Sequence, residues 1–261
     1  MDYSKMKPQE VKRLIRTGEV DFQTSGMCDG YAQANLCILP AEYAFDFLLF
    51  CMRNPKPCPI LEVGDVGDKS IKSMAEFGDI CTDFPKYRIW KNGVLEKEVT
   101  DITDYWRDDL VYFLIGCSFS FESEMIEADI PVRHIEMGRN VPMFNTNIVL
   151  NSAGAFHGNM VVSMRPIPEN LVVKAVNVTN AMPRVHGAPV HIGSPESIGI
   201  KDINKPDYGD AVTINEGEVP VFWACGVTPQ NALMQTKPYF AITHAPGHMF
   251  ITDVKNSNLK Y

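Results

Sequence analysis

Phe222-Trp223-Ala224-Cys225-Gly226-Val227-Thr228-Pro229-Gln230 is the stretch on which the reading of this chain turns. Val219, Val221, Phe222 and Trp223 are β-branched or aromatic and predict a buried strand. Gly226 offers a positive φ, and Thr228-Pro229 fits an N-cap followed by proline at the first helical position, so a helix is expected over 229–234. A cysteine in such a turn sits where backbone N–H groups and the helix dipole favour an anion or a thiolate.

The chain does something similar about a hundred residues earlier. Phe113-Leu114-Ile115-Gly116-Cys117-Ser118-Phe119-Ser120-Phe121-Glu122 again runs a strand into a Gly/Cys turn. Ser118 or Ser120 is placed to cap the next helix, and Glu122 or Glu124 to complement its dipole. The Gly-Cys order is reversed between the two, which makes them an echo and not a repeat signature.

Around these two units, 261 residues suffice to bury a core without disulfide or metal staples, in one large domain or two smaller ones. The net charge of −8 argues against a nucleic-acid or anionic-membrane surface, both of which need a basic footprint, and leaves small molecules as the expected ligands. Seven irregularly spaced cysteines, several in apolar runs, suit a reducing cytosol. No signal-type segment opens the chain and no apolar run approaches membrane-span length, so a cytoplasmic protein is expected.

Taken in order, residues 8–17 read as an amphipathic helix with Lys12, Arg13 and Arg16 on its solvent side. Residues 24–39 join a Gly-rich loop to Gln33-Ala34-Asn35, whose amides either hold a ligand or satisfy the turn. Pro40 starts a helix over 41–53 that is apolar on most sides and is therefore expected in the interior. A strand over 58–63, a short polar helix and an Asn92-Gly93 hairpin follow. From about 141 to 210 short β-rich runs surround one helix near 169–182. The expected architecture is α/β with α+β in two lobes: a three-layer main lobe from 1–138 and 219–261, and a smaller inserted two-layer lobe from 139–218. The cleft between them would be the ligand site.

Four of the six histidines fall in two groups, His186-Gly187-Ala188-Pro189-Val190-His191 and His244-Ala245-Pro246-Gly247-His248. Pro and Gly interrupt both, so neither has helical metal-site spacing; proton transfer and hydrogen bonding to loop backbone are the two readings that compete. Cys117 and Cys225 are candidates for a nucleophile or a thiol acid/base pair, of the kind that cofactor-independent racemases set on either face of a substrate, against a purely structural role. Arg165 follows an apolar strand and suits bidentate recognition of a carboxylate, with a salt bridge as the alternative. No phosphate-loop or dinucleotide fingerprint is present.

Taken together, these segments resemble the hydro-lyase family also described as the D-glutamate cyclase family. The resemblance rests on Gln33-Ala34-Asn35 through Leu39-Pro40, Arg53-Asn54-Pro55 with Cys58-Pro59, Asp79 with Thr82-Asp83-Phe84-Pro85-Lys86-Tyr87-Arg88, Phe113 to Glu122, Ser163-Met164-Arg165-Pro166, His186 to Gly193, Phe222 to Gln230, and Thr243-His244-Ala245-Pro246-Gly247. Met27-Cys28-Asp29 and His248 depart from the pattern. The resemblance implies the two-lobed fold and a dehydrating cyclisation of D-glutamate to 5-oxo-D-proline. That chemistry needs a base, an acid and oxyanion donors. His186 or His244 is the expected proton carrier and Glu122 the second acid/base. Cys117/Ser118 and Cys225/Gly226 would supply N–H groups to the oxyanion, and Arg165, Gln33 and Asn35 would hold the α-carboxylate. Asp83, Thr228 and Gln230 complete the expected substrate-binding set. No metal site or resident cofactor is expected, with an assisting divalent cation and self-association left open. Two rivals stand beside this reading: a racemase or hydro-lyase acting on another small acid, and a binding protein without catalysis.

Overall fold

The computed structural model describes residues 1–260. The chain opens with helix α1 (Pro8–Arg16), which buries Val11, Leu14 and Ile15 against Met27, Cys28 and Ile251. Lys12, expected on its solvent side, is instead buried; its stem lies along the apolar seam and its ammonium pairs with Asp253 at 2.9 Å. Strand β1 (Tyr31–Pro40) leads into α2 (Ala41–Arg53) and β2 (Ile60–Val63). Helix α2 buries Phe47, Phe50 and Cys51, but Phe45 and Met52 are 73% and 66% exposed, so it is a surface helix and not the interior one expected.

Two short strands, β3 (Ser70–Ile71) and β4 (Gly78–Asp79), stand where a polar helix was expected. The carboxylate of Glu62 accepts the backbone N–H groups of Lys72, Ser73 and Met74 and the Tyr112 hydroxyl, which holds the segment as a loop. The hairpin β5 (Tyr87–Lys91) and β6 (Val94–Val99) turns on Asn92 and Gly93, both with positive φ, as its sequence dictates.

Strand β7 (Leu110–Gly116), α3 (Phe119–Glu127) and the short α4 (Arg133–Glu136) precede β8 (Met143–Val149) and β9 (Asn159–Pro168). Helix α5 (Val172–Asn180) is shorter than expected because a 3₁₀ turn, Glu169–Leu171, takes up its start. Then come β10 (His191–Ile192), β11 (Glu218–Ala224), α6 (Val227–Thr236), β12 (Ala241–His244) and β13 (Phe250–Lys255).

The strands form an antiparallel seven-stranded sheet of order β2-β7-β1-β12-β5-β6, with β13 also on β1, and a four-stranded sheet of order β10-β11-β9-β8. Strand β11, assigned to the main lobe from the sequence, thus belongs to the smaller sheet, in register with β9 from Glu218↔Pro168 to Ala224↔Val162. Alternation is strict on both faces. Leu110, Tyr112 and Leu114 join one core cluster while Val111, Phe113 and Ile115 join the other; Val221 and Trp223 divide from Phe222 and Ala224 in the same way. Each core therefore draws on both sheets, which explains why β7 and β11 read as unbroken apolar runs.

Candidate functional site

Strands β7 and β11 end side by side in space, and each turns within two residues into a helix. The turns Cys117-Ser118 and Cys225-Gly226, with the first helical residues Phe119 and Val227, line one small, narrow cavity. Asn35 of β1, Asn140 and Gly247 contribute to its wall. Asn35 ties the turns together. Its Nδ2 donates to the carbonyl of Gly116 at 2.8 Å, and its amide lies so close to Gly226 that a β-carbon there would fall 2.0 Å from Nδ2. This close approach, and not a positive φ, is what requires glycine: Gly226 has φ −67°. The helix also starts two residues before Pro229, so Thr228 is not its cap. The Thr228 hydroxyl bonds both the N–H and the carbonyl of Val161, pinning α6 to β9.

Both thiols are buried, and burial raises their pKa, that of Cys225 to about 11 and that of Cys117 further. The N–H groups of Phe119 and Val227 act in the opposite direction at their respective sulfurs without prevailing. At neutral pH the cavity is thus flanked by two protonated thiols and the N-terminal turns of two helices, whose first N–H groups have no intrahelical acceptor.

Behind the first turn lies a buried ion cluster. Arg165 is fully buried; its Nε donates to Glu122 at 3.0 Å, Nη1 to the Ser163 hydroxyl at 3.0 Å, and Nη2 to the Ser118 hydroxyl at 3.1 Å and again to Glu122. The guanidinium also faces the rings of Phe121 and Trp223. His134 Nε2 approaches Glu122 to 3.2 Å. Burial would raise the Glu122 carboxyl, but the charges of His134 and Arg165 outweigh it and hold the pKa at about 2. Arg165 therefore acts on the cavity through Ser118, and Glu122 is its counter-ion. Glu122 faces a separate hollow of about 380 Å³ that also includes Gln33 and Asn256.

Neither expected proton carrier lines the cavity. His244 Nδ1 accepts the Leu36 N–H at 3.1 Å, and Gln230 Nε2 lies 3.1 Å from the same atom and from the His244 carbonyl. Burial lowers the His244 pKa to about 3 and that of His186 to about 4. His186 sits with φ +83° behind β7, its Nδ1 bonded to the Lys56 carbonyl and its buried Nε2 without a hydrogen-bond partner among the described residues. Gln33 spends its amide on Thr24, and Asp83 is held by Arg16 through two contacts of 2.5 and 2.9 Å, far from the turns in the topology. The structure thus gathers Asn35, Cys117, Ser118 and Cys225, with Arg165 and Glu122 one layer behind. His134 and Asn140 escaped the sequence reading, because a single histidine on a one-turn helix and an asparagine in a loop carry no pattern. No group of three or more His, Cys, Asp or Glu side chains converges as a metal site among the described residues.

The family model for D-glutamate cyclase matches residues 111–253, a span that takes in both turns and the ion cluster. A protein of Clostridium beijerinckii named "Putative hydro-lyase" is 64% identical over the full length of both chains. This chain belongs to the D-glutamate cyclase family. Within that family it also matches "Putative hydro-lyase YcsI" of Bacillus subtilis, 59% identical over 97% of this chain and 99% of that one. The relative from Psychrobacter arcticus is 59% identical over 99% and 98%. A nitrogen repressor-like protein of Methanococcus jannaschii aligns with this family member over 94% of its length at 9% identity and a TM-score of 0.38, too loosely to bear on function. Among the described residues no helix is long and apolar enough to cross a membrane.

Proposed function

We propose that this member of the D-glutamate cyclase family is a lyase that removes water from a small amino-dicarboxylic acid, closing D-glutamate to 5-oxo-D-proline. The observation that carries the reading is the convergence of two helix N-termini and two protonated thiols on one cavity. The reaction moves charge onto a carboxyl oxygen, and such N–H groups are the donors that developing charge requires.

In the cavity the side-chain carboxyl of the substrate lies against the first turns of α3 and α6. The α-amine, having lost a proton, attacks the carboxyl carbon; the C–N bond forms and the carbonyl π pair moves onto oxygen. Collapse of that tetrahedral adduct breaks a C–O bond, and the departing oxygen leaves as water with two protons that came from the ammonium group. A thiol of Cys117 or Cys225, kept protonated by burial, gives a proton to that oxygen and regains one from the ammonium group, so that it ends the turnover as it began. Asn35 Oδ1, which accepts no hydrogen bond among the described residues, is an acceptor for the amine. His186, His244, Arg165 and Glu122 position the turns and do not touch the reacting atoms.

Incubation with D- and L-glutamate, with and without Mn²⁺ or Mg²⁺, followed by chiral chromatography of 5-oxoproline, tests this. Product from the D-enantiomer alone, lost in Cys117→Ser or Cys225→Ser, is expected; no product under any condition removes the cyclase reading. The pairing of two cysteines across one cavity favours a single second reading, proton exchange at Cα. Loss of a Cα deuterium to solvent without ring closure would select it.

A further inference from the structure

Asn140 lines two spaces at once: the cavity between the cysteine turns, and an open pocket of about 760 Å³ beside it that Lys86, His248, Gln23 and Asp21 also line. The wall between them is the 244–248 turn, with Pro246 on the pocket side and Gly247 on the cavity side. This wall is built firmly. The Ala245 N–H bonds the Lys86 carbonyl at 2.9 Å, and the Thr24 N–H bonds that of Gly247 at 2.8 Å. Gly247 has φ +83°, and a β-carbon there would lie 3.4 Å from Asn140 Nδ2.

The pocket holds a set of unspent groups. Lys86 makes no ion pair among the described residues, whereas Arg88, two positions on, is matched to Glu98 at 2.8 Å. Asn140 Oδ1 is buried and has no hydrogen-bond partner among the described residues. His248 is already engaged with loop backbone, its Nδ1 lying 3.0 Å from the Pro246 carbonyl. Asp21 is the one acid among the lining residues. One unpaired cation beside a buried, unpartnered acceptor matches a carboxylate with an amine on the adjoining carbon.

We infer that this pocket is the subsite for the α-carboxylate of the substrate, held by Lys86, with Asn140 Oδ1 at the boundary of the two spaces meeting the amine on its way to the side-chain carboxyl. The inference rests on the reading of the adjoining cavity as the reaction site, and it gives the division of labour: the α-carboxylate is held at the open end while the amine and the side-chain carboxyl meet past Asn140, at the two turns. It makes this protein selective for amino acids over simple dicarboxylates.

Titration calorimetry with D-glutamate, with 4-aminobutyrate, which lacks the α-carboxylate, and with glutarate, which lacks the amine, tests it on the wild type and Lys86→Met. The expected result is roughly tenfold or greater preference for D-glutamate over both analogues in the wild type, as a charge-assisted contact supplies. In Lys86→Met the affinity for D-glutamate should fall to the level of 4-aminobutyrate, while 4-aminobutyrate binding stays unchanged; Lys86→Arg should recover most of the preference. Lys86 makes no ion pair among the described residues and lines an open pocket, so the variants should keep the wild-type melting temperature. An undiminished preference in Lys86→Met, or none in the wild type, overturns the inference. Lys86-dependent binding without 5-oxoproline would instead sink the cyclase reading and leave the subsite standing.

Discussion

Gly226 packs directly on the amide of Asn35, with no room for a β-carbon between them. The contact joins the second cysteine turn to the central strand of the larger sheet, and through the Asn35 bond to Gly116 it also joins the two turns to each other. Gly226→Ala should push Asn35 off the Gly116 carbonyl and cost about 1–3 kcal/mol. Urea unfolding measures this, and the double variant Gly226→Ala/Asn35→Gly should regain part of the stability by opening space. If Gly226→Ala is as stable as the wild type, the turns are not held this way.

The Glu122 carboxyl has its folded pKa depressed to about 2, against an ordinary value near 4.5, so it binds fewer protons folded than unfolded. Its contribution is complete above pH 4.5 and is lost as pH falls through that value toward 2. Across that window it amounts to about 3 kcal/mol. Glu122→Gln should remove this acid sensitivity. At neutral pH it should destabilise the fold by about 3 kcal/mol or more, because Arg165 is left buried without its counter-ion.

The two buried histidines act at a higher pH. Their folded pKa values of about 4 and about 3 lie below the ordinary 6.5, so unfolding takes up protons between those limits. Stability from burying them neutral is complete above pH 6.5 and declines as pH falls toward 4 and 3. His186→Asn, whose side chain tolerates the positive φ, should flatten the stability curve between pH 6.5 and 4 in chemical denaturation. A curve parallel to the wild type would show that folding does not lower the His186 pKa.

Asp83 anchors α1 through Arg16 and also accepts the Asp79 N–H. Asp83→Asn is therefore expected to lower the melting temperature by several degrees while leaving KM for the substrate within about twofold of the wild type. A selective rise in KM at unchanged melting temperature would return Asp83 to the binding site.

The two strand-turn-helix units, the Asn92-Gly93 hairpin and the family were legible in the residues themselves, because period-2 apolar runs, Gly-bearing turns and short spacings are local properties of a chain. For Gly226 the residue was legible and its reason was not. A backbone glycine serves a positive φ or a close neighbour equally well, and the neighbour here, Asn35, is almost two hundred residues away. Arg165 has the same limit. An arginine after an apolar strand suits a ligand carboxylate or a salt bridge, and only the packing of α3 and α4 on β9 shows that Glu122 and the two serines bond it.

The sequence by itself determined which segments are buried strands, where the chain turns into helices, and which cysteines sit at those turns, since each follows from neighbours within a few residues. The tertiary structure decided what faces what. Antiparallel pairing of β1 with β7 and β12, and of β11 with β9, brings together the turns at 117 and 225 and sets Asn35 between them. The same pairing buries His186 and His244 away from the cavity and leaves Lys86 in the open pocket beside it. Such placements depend on sheet register and on the desolvation of charges, which sum over contacts distant in the chain and leave no local trace in it.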